Sequence, residues 1–360
     1  MARVLESGWL TTGEECRALE GALAEYLSIP HVVAMASCTA ALETACAYLG
    51  LPPGARVGVP TWTFVSSALA PARAGAVPVL LDVEEDTLNV SAESVEAALG
   101  DGLDAVVVVH FGGTPVSREV FDLCAADGTP VVEDAAHALG ASDDRGLVAG
   151  RGTVGACFSF YATKNLSCGE GGALATGDSR LAAFAESYRL HGLSRDAWAR
   201  YRLGSDPGYD LIAPGIKGNL PDVLAALARS SLGRFGELQA RRRSIVERYR
   251  DRLARVPDLR FSPTHLAPNG ADHLVVVVLP EAADRSMVVS KLAEAGVASS
   301  IHFQPLHTFE WFQKNAVVGP AGTSVADGLA SRVLSLPLHT GLTDRDVDYV
   351  CEVLADALEA

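Results

Sequence analysis

Between Val32 and Thr176 short, β-rich apolar runs alternate with stretches whose apolar residues recur every three or four positions. The short runs predict strands at His31–Ala36, Arg56–Pro60, Val77–Asp82, Ala105–His110, Pro130–Glu133 and Cys157–Phe160. Helical patterns fall between them, at Ala40–Leu49, Ala92–Leu99 and Arg118–Ala126. Val106–Val109 is apolar at every position, as a strand covered on both faces should be. Strand–helix alternation of this kind reads as an α/β fold with a mostly parallel sheet and crossover helices. The second half reads differently. A long helical stretch with an arginine-rich face spans Leu220–Leu253, followed by a strand at His273–Leu279 and a helix at Ser286–Ala295. Another strand is expected near Ser299–Phe303, and a final helix from Thr343. These elements predict a large domain over residues 1–238 and a smaller C-terminal α+β domain over 239–360.

Composition narrows the function classes. Nearly half of the 360 residues are apolar, which is globular composition with enough apolar material for a large core. The formal net charge of −15 argues against non-specific nucleic-acid or anionic-membrane binding, so an anionic substrate would need local cations. No apolar run approaches the length of a membrane-spanning helix, and MARVLESGWL lacks a signal-peptide layout. Seven scattered cysteines without a C-x-x-C pair fit reduced thiols in a cytoplasmic enzyme. Metal ligation has no supporting cluster, since His302 and His307 alone are too few.

One motif is a decoy. The glycines of Gly150-Arg-Gly-Thr-Val-Gly155 match G-x-G-x-x-G by letters, but they follow a loop and lead into a strand. A dinucleotide site requires the reverse order, so a glycine-rich turn is the better reading and a nicotinamide oxidoreductase is disfavoured. Three other stretches carry more. In VVEDAAH (131–137) a strand ends in Asp134, where a parallel sheet collects its ligands; a carboxylate there holds a ring nitrogen or caps a helix. His137 follows three residues later, and by itself reads equally as a packing residue. In FSFYATKNLSCGEGGAL (158–174) Lys164 is one of only four lysines and lies just past a buried-looking strand. A lysine sheltered from water has a lowered pKa and forms Schiff bases with aldehydes. In ASCTAA (36–41) Ser37 is placed to cap a helix whose first-turn amides, with Thr39, make an anion site. An anion site, a carboxylate for a ring nitrogen and a lysine for an aldehyde are the three handles of pyridoxal 5′-phosphate.

With those residues assembled, the chain resembles the DegT/StrS family of pyridoxal-phosphate sugar aminotransferases, a branch of the fold-type I aminotransferases. The resemblance runs through LESGWLTTG (5–13), ASCTAAL (36–42), VPTWTFVSSA (59–68), VVEDAAHALGA (131–141), FSFYATKNLSCGEGGAL (158–174), HGLSRDAW (191–198), PGIKGNLPDVLAA (214–226) and SLPLHTGLTDRDV (335–347). It implies a mostly parallel seven-stranded sheet in the large domain, and a first helix shortened by the proximity of LESGW to the chain start. It makes Lys164 the Schiff-base lysine and proton shuttle. Asp134 becomes the partner of the pyridine nitrogen, His137 a neighbour of the phenolic oxygen, and Phe64 an aromatic stacked on the ring. Thr39, the amides of Cys38 and Ala40, and Ser159 would hold the phosphate. Asn219 would reach the phosphate of a neighbouring subunit, which implies a homodimer with shared active sites.

The resemblance further implies L-glutamate as donor, with 2-oxoglutarate as its product, and a nucleotide-linked keto-sugar as acceptor. HGLSRDAW, PGIKGNLPD and SIHFQPLHTFEWF (300–312) resemble the family enzymes that aminate C4 of a 4-keto hexose or pentose, those of the lipid A 4-amino-arabinose type above all, which implies a dTDP- or UDP-4-keto-6-deoxyhexose. The Arg-over-Lys and Ala bias adds a natural-product deoxysugar pathway to that expectation. A 3-keto-sugar or cyclitol acceptor and a non-catalytic regulatory protein are the alternatives within the family. A family dehydratase would carry histidine where Lys164 stands. Candidate substrate contacts are Arg189 and His191, the nearby Arg195, Arg200 and Arg202, and His302 and His307. A solvated helix face explains the arginines equally well.

Overall fold

The computed structural model describes residues 1–194 and 208–359. Its principal sheet is built from β1 (His31–Met35), β2 (Arg56–Pro60), β3 (Val77–Leu81), β4 (Ala105–Val109), β5 (Val131–Asp134), β8 (Gly155–Ser159) and β9 (Gly172–Thr176). A two-residue hairpin, β6 (Ser142–Asp143) with β7 (Gly146–Leu147), lies between β5 and β8 in the chain. The spatial order is β1-β9-β8-β5-β4-β2-β3, and a two-residue β12 (Val317–Val318) joins β3 at the far edge. These are the seven strands of the expected sheet, extended by an eighth from the C-terminal part of the chain. The pairs β2·β3, β2·β4, β4·β5 and β5·β8 are parallel, whereas β9 runs antiparallel to both β1 and β8. It follows that β1, β2, β4, β5 and β8 all point the same way and release their carboxyl ends along one rim. That rim is where an open α/β sheet binds ligands.

Five of the six strands predicted in the first half appear with bounds shifted by one residue at most, and the sixth, β8, opens two residues earlier. The helices α3 (Cys38–Leu49), α5 (Ala92–Gly100) and α6 (Arg118–Asp127) match the helical patterns. β9 gave no strand signal: its GALAT sequence has little β propensity, and its place between β1 and β8 stabilises it instead. The single helix expected over Leu220–Leu253 is two helices, Asp222–Leu232 and Phe235–Leu253. The break serves two cores. Ala225, Ala228 and Phe235 pack under the large sheet, while Ile245, Val246, Tyr249 and Leu253 pack on a second sheet.

That second sheet holds β10 (Arg260–Ser262), β11 (Val275–Val278) and β13 (Val333–Leu336), all antiparallel. Helices Arg285–Glu294 and Asp344–Glu359 cover it. The strand expected near Ser299–Phe303 does not form. Ser300 alone pairs, with Ser335, and the chain then leaves the sheet as the Trp62 indole donates to the His302 carbonyl (3.1 Å).

β5 carries two consecutive buried carboxylates on opposite faces. Glu133 accepts from Thr153 Oγ1 (2.8 Å) and pairs with His110 Nε2 (3.0 Å). His110 Nδ1 accepts from the Val116 amide (3.1 Å), so the proton sits on Nε2 and is donated to Glu133. All seven cysteines are unpaired and buried. Among the described residues no helix is long and apolar enough to cross a membrane.

Candidate active site

The carboxyl ends of β1, β5 and β8 open onto a cavity of about 390 Å³. Cys38, Thr39, Phe64, Asp134, His137, Ser159, Lys164 and His302 all line it, although they are drawn from positions 38 to 302. Two features of the sequence place α3 at its floor. Ser37 caps the helix, its hydroxyl accepting from the Ala40 amide (3.1 Å). The first intrahelical bond runs from the Ala41 amide to the Ser37 carbonyl (3.2 Å), which leaves the Cys38 and Thr39 amides ahead of the ladder. The Ala40 amide, expected on a phosphate, is therefore already used by the cap. A residue the sequence reading passed over takes part instead: Ser66, the first residue of α4 (Ser66–Arg73), meets Thr39 Oγ1 at 2.9 Å and lines the same floor.

Gly172 explains how the backbone comes so close here. A β-carbon on it would stand 2.5 Å from the Cys38 nitrogen and 2.6 Å from the Phe158 carbonyl oxygen, and would also strike Ser37. β9 thus passes directly beneath the α3 N-terminus. Gly172→Ala should cost about 1–3 kcal/mol or more by overpacking and weaken cofactor retention. Urea denaturation of the variant, with dialysis against phosphate buffer followed by absorbance, measures both.

Asp134 is not a helix cap. No helix follows it before Ser179 among the described residues, and its carboxylate is fixed by three donors instead. Ser67 Oγ donates to Oδ2 (2.7 Å) and the Ala136 amide to Oδ1 (3.1 Å), while the single proton of the Cys38 thiol is shared between Oδ1 (3.7 Å) and the Cys157 carbonyl (3.2 Å). Burial and the Asp134 charge push the Cys38 thiol well up, so it acts as a neutral donor. Lys164 is the half-buried member of the set. Burial lowers its pKa to about 8, against the raising influence of Cys38 and Asp134. Its ammonium has no hydrogen-bond partner among the described residues. The other three lysines are engaged elsewhere: Lys217 with Asn219, Lys291 with the Ala357 carbonyl and Lys314 with Glu310.

A histidine the sequence reading missed completes the far wall. The ring of His273 lies 4.3 Å from that of His137, centroid to centroid. Asn165, next to the key lysine, donates from Nδ2 to the Ala271 carbonyl (2.6 Å), which turns its Oδ1 toward His273 Nδ1 (2.8 Å). His273 therefore carries its proton on Nδ1 and offers Nε2 as an acceptor. His137 is the opposite tautomer, because its Nδ1 accepts from the Gly112 amide (3.2 Å). Burial, then nearby cationic groups including Lys164, drives both pKa values well down, and His302 falls to about 4 from burial and Lys164. All three imidazoles are neutral at pH 7. The signal that could have revealed His273 was its place at the head of the predicted strand His273–Leu279.

The remaining predicted contacts lie elsewhere. Arg189 is 5% exposed and committed to Glu20 (2.6 Å) and the Ala34 carbonyl (2.6 Å), an internal tie and not a cavity cation. His191 is not on the cavity wall; its backbone amide donates to the Ile216 carbonyl (2.8 Å) at a positive φ of 66°. His307 is held between Thr61 (2.7 Å) and Asp327 (2.8 Å) outside the cavity. Asn219 is buried against Thr12 (2.8 Å) and Lys217, away from this chain's own cavity. Arg195, Arg200 and Arg202 lie outside the described residues. The decoy glycines form a turn that ends at the first residue of β8, with Gly150 and Gly152 at φ 81° and 72°.

A model of the DegT/DnrJ/EryC1/StrS aminotransferase family matches residues 1–355. The chain belongs to this family. It is 37% identical to the spore coat polysaccharide biosynthesis protein SpsC of Bacillus subtilis (strain 168), over the whole chain and 93% of that protein. Among solved structures it is similar to the PLP form of Spr1654 from Streptococcus pneumoniae, with a TM-score of 0.89, 27% identity, and coverage of 99% of this chain and 94% of that one. It is likewise similar to DesI in the presence of its TDP-sugar product, with a TM-score of 0.86, 30% identity, and coverage of 99% and 88%. The protein is a sugar aminotransferase, and its family depends on pyridoxal 5′-phosphate. The donor set fits that group: free amides and hydroxyls for its phosphate, an anchored carboxylate for its ring nitrogen, and an unpaired lysine for its aldehyde.

Proposed function

We propose that the protein transfers the amino group of L-glutamate to C4 of a dTDP- or UDP-linked 4-keto-6-deoxyhexose, giving a 4-amino-4,6-dideoxy sugar nucleotide. Lys164 carries the transaminase part: an unpaired lysine of pKa about 8, in one cavity with Asp134 and the α3 N-terminus. The likeness to DesI, solved with a TDP-sugar product, supports the nucleotide-sugar acceptor.

Bound pyridoxal phosphate supplies an aldehyde and an electron-accepting pyridinium ring. The Cys38 and Thr39 amides, with the hydroxyls of Thr39, Ser66 and Ser159, bind and orient its phosphate. The Asp134 carboxylate holds the proton on the ring nitrogen, and Ser67 and the Ala136 amide keep that carboxylate in place. Lys164, near pH 8, is available both as free amine and as ammonium, so it takes the proton from the donor's α-carbon and returns it. His137, whose Nδ1 accepts from the Gly112 amide, would offer its Nε2–H to the phenolic oxygen. Phe64, 55% exposed at the mouth, would cover the ring and shield it from water.

A homodimer with shared sites accounts for the exposed Phe64 and Tyr161 at the cavity mouth, and it gives Asn219 a phosphate to reach across the interface. Incubating the pyridoxamine form with a panel of keto-sugar nucleotides, followed by product NMR, tests the acceptor. Amination at C4 of a dTDP- or UDP-sugar is expected. Amination at C3, or of a cyclitol alone, would replace this reading.

A further inference from the structure

Lys164 is shared by two hollows. A second cleft, of about 450 Å³, shares Thr163 and Lys164 with the main cavity and is walled by the loop 162–165, by Ser167, Ser231 and Leu238, and by 338–340. We propose that this cleft is the subsite for a carboxylate of the amino donor, with Arg242 as its cationic anchor.

The inference rests on the donor being a carboxylate-bearing amino acid, as proposed above. It starts from a charge that lacks an ion-pair partner. Arg242 is 5% exposed, yet no carboxylate pairs with it among the described residues. Its Nε donates to the Asp272 carbonyl (2.9 Å) and Nη2 to the His273 carbonyl (2.7 Å), while the Asp272 carboxylate is taken by Arg243 (2.5 Å). Nη1 has no hydrogen-bond partner among the described residues, and Arg242 lines the cleft. Burying a guanidinium without a paired carboxylate is costly, and burial lowers its pKa to about 10 against the raising influence of the nearby Asp272 charge. The cleft is suited to supply that anion. It is lined by Arg242, Lys164, His339 and the hydroxyl residues Thr163, Ser167, Ser231 and Thr340, with no acid among its described residues, in a chain with 44 acids against 29 bases.

The main cavity, in contrast, has no arginine among the described residues of its wall and does hold Glu170 and Asp134. Of the described residues lining the two hollows, Arg242 is the only arginine. Among the described residues, the guanidinium open to a donor whose amino group lies at Lys164 is the one in this cleft. Arg242 also grips the backbone of His273, so a carboxylate drawn onto Nη1 and the His273 acceptor are held by one side chain.

The test is calorimetric titration of the holoenzyme with glutarate, a dicarboxylate that cannot react, and separately with inorganic phosphate. Glutarate should bind wild type, and Arg242→Gln should weaken it by roughly ten- to a hundredfold, the worth of a charge-assisted bond. Ser231→Leu, which fills the cleft and leaves Arg242 in place, should weaken it comparably and decides the matter if the arginine variant fails to fold. Binding of the keto-sugar nucleotide should stay unchanged in both variants. The proposal is overturned if wild type does not bind glutarate, or if both variants bind it within about twofold of wild type. It is equally overturned if phosphate binds more tightly than glutarate and is the ligand lost with Arg242. Failure of every keto-sugar in the acceptor panel, with glutarate binding intact and variant-sensitive, sinks the acceptor assignment and not this site.

Discussion

Lys164→Ala is expected to lose turnover by roughly 10⁴-fold or more, because in the proposed mechanism one side chain supplies both the covalent anchor and the proton transfer. The fold survives the change. The lysine makes no side-chain hydrogen bond to a described residue, and its removal relieves a desolvated ammonium. Single-turnover formation of 2-oxoglutarate measures the loss; ordinary turnover in the variant would refute the assignment. Stability provides a second, independent readout. The folded pKa of about 8 lies below the unfolded value of 10.5, so between those pH values the unfolded chain binds more protons. Stability of the cofactor-free wild type therefore rises as pH climbs through that window, by on the order of 3 kcal/mol, and Lys164→Ala should lack that rise. Denaturant midpoints across the window compare the two.

Asp134→Asn should lower turnover by about 10²–10³-fold at nearly unchanged stability. Asparagine keeps an oxygen for Ser67 or the Ala136 amide, so the local bonding largely persists and what disappears is the charge. Without it the ring nitrogen loses the group that holds its proton, and the donor's α-proton becomes harder to remove. Slowed exchange of that α-proton with deuterated water is the specific signature. A variant that exchanged it at the wild-type rate would show that Asp134 only shapes the cavity.

Strands and single chemical residues were legible in the chain, and the contacts that aim those residues were not. β4 announces itself because a strand buried on both faces is apolar throughout, and Lys164 stood out because lysine is so scarce. β9 escaped notice since glycine and alanine carry no strand preference; only its two neighbours make it a strand. Ser66, Ser67 and Asn165 look like ordinary polar residues until tertiary structure brings them to Thr39, Asp134 and His273. Arg189 misled for the same reason. Its sequence neighbourhood is basic and looks solvent-facing, but the fold buries it against Glu20. The helix break at Gly233 was hidden because both halves are good helix formers, and the two cores they serve cannot be seen in one dimension.

The two adjoining carboxylates of β5 make that strand intolerant of sliding. Side chains alternate across a sheet, so a shift of one residue would exchange Glu133 and Asp134 between the faces. Glutamate, one methylene longer, would then enter the cofactor cavity, and Asp134 would be left to meet His110 and Thr153 across a gap. Each acid has donors shaped for its own length on its own side. The His110–Glu133 pair, on the face away from the cavity, thus works as a ratchet pawl that keeps the Asp134 carboxylate facing the cavity.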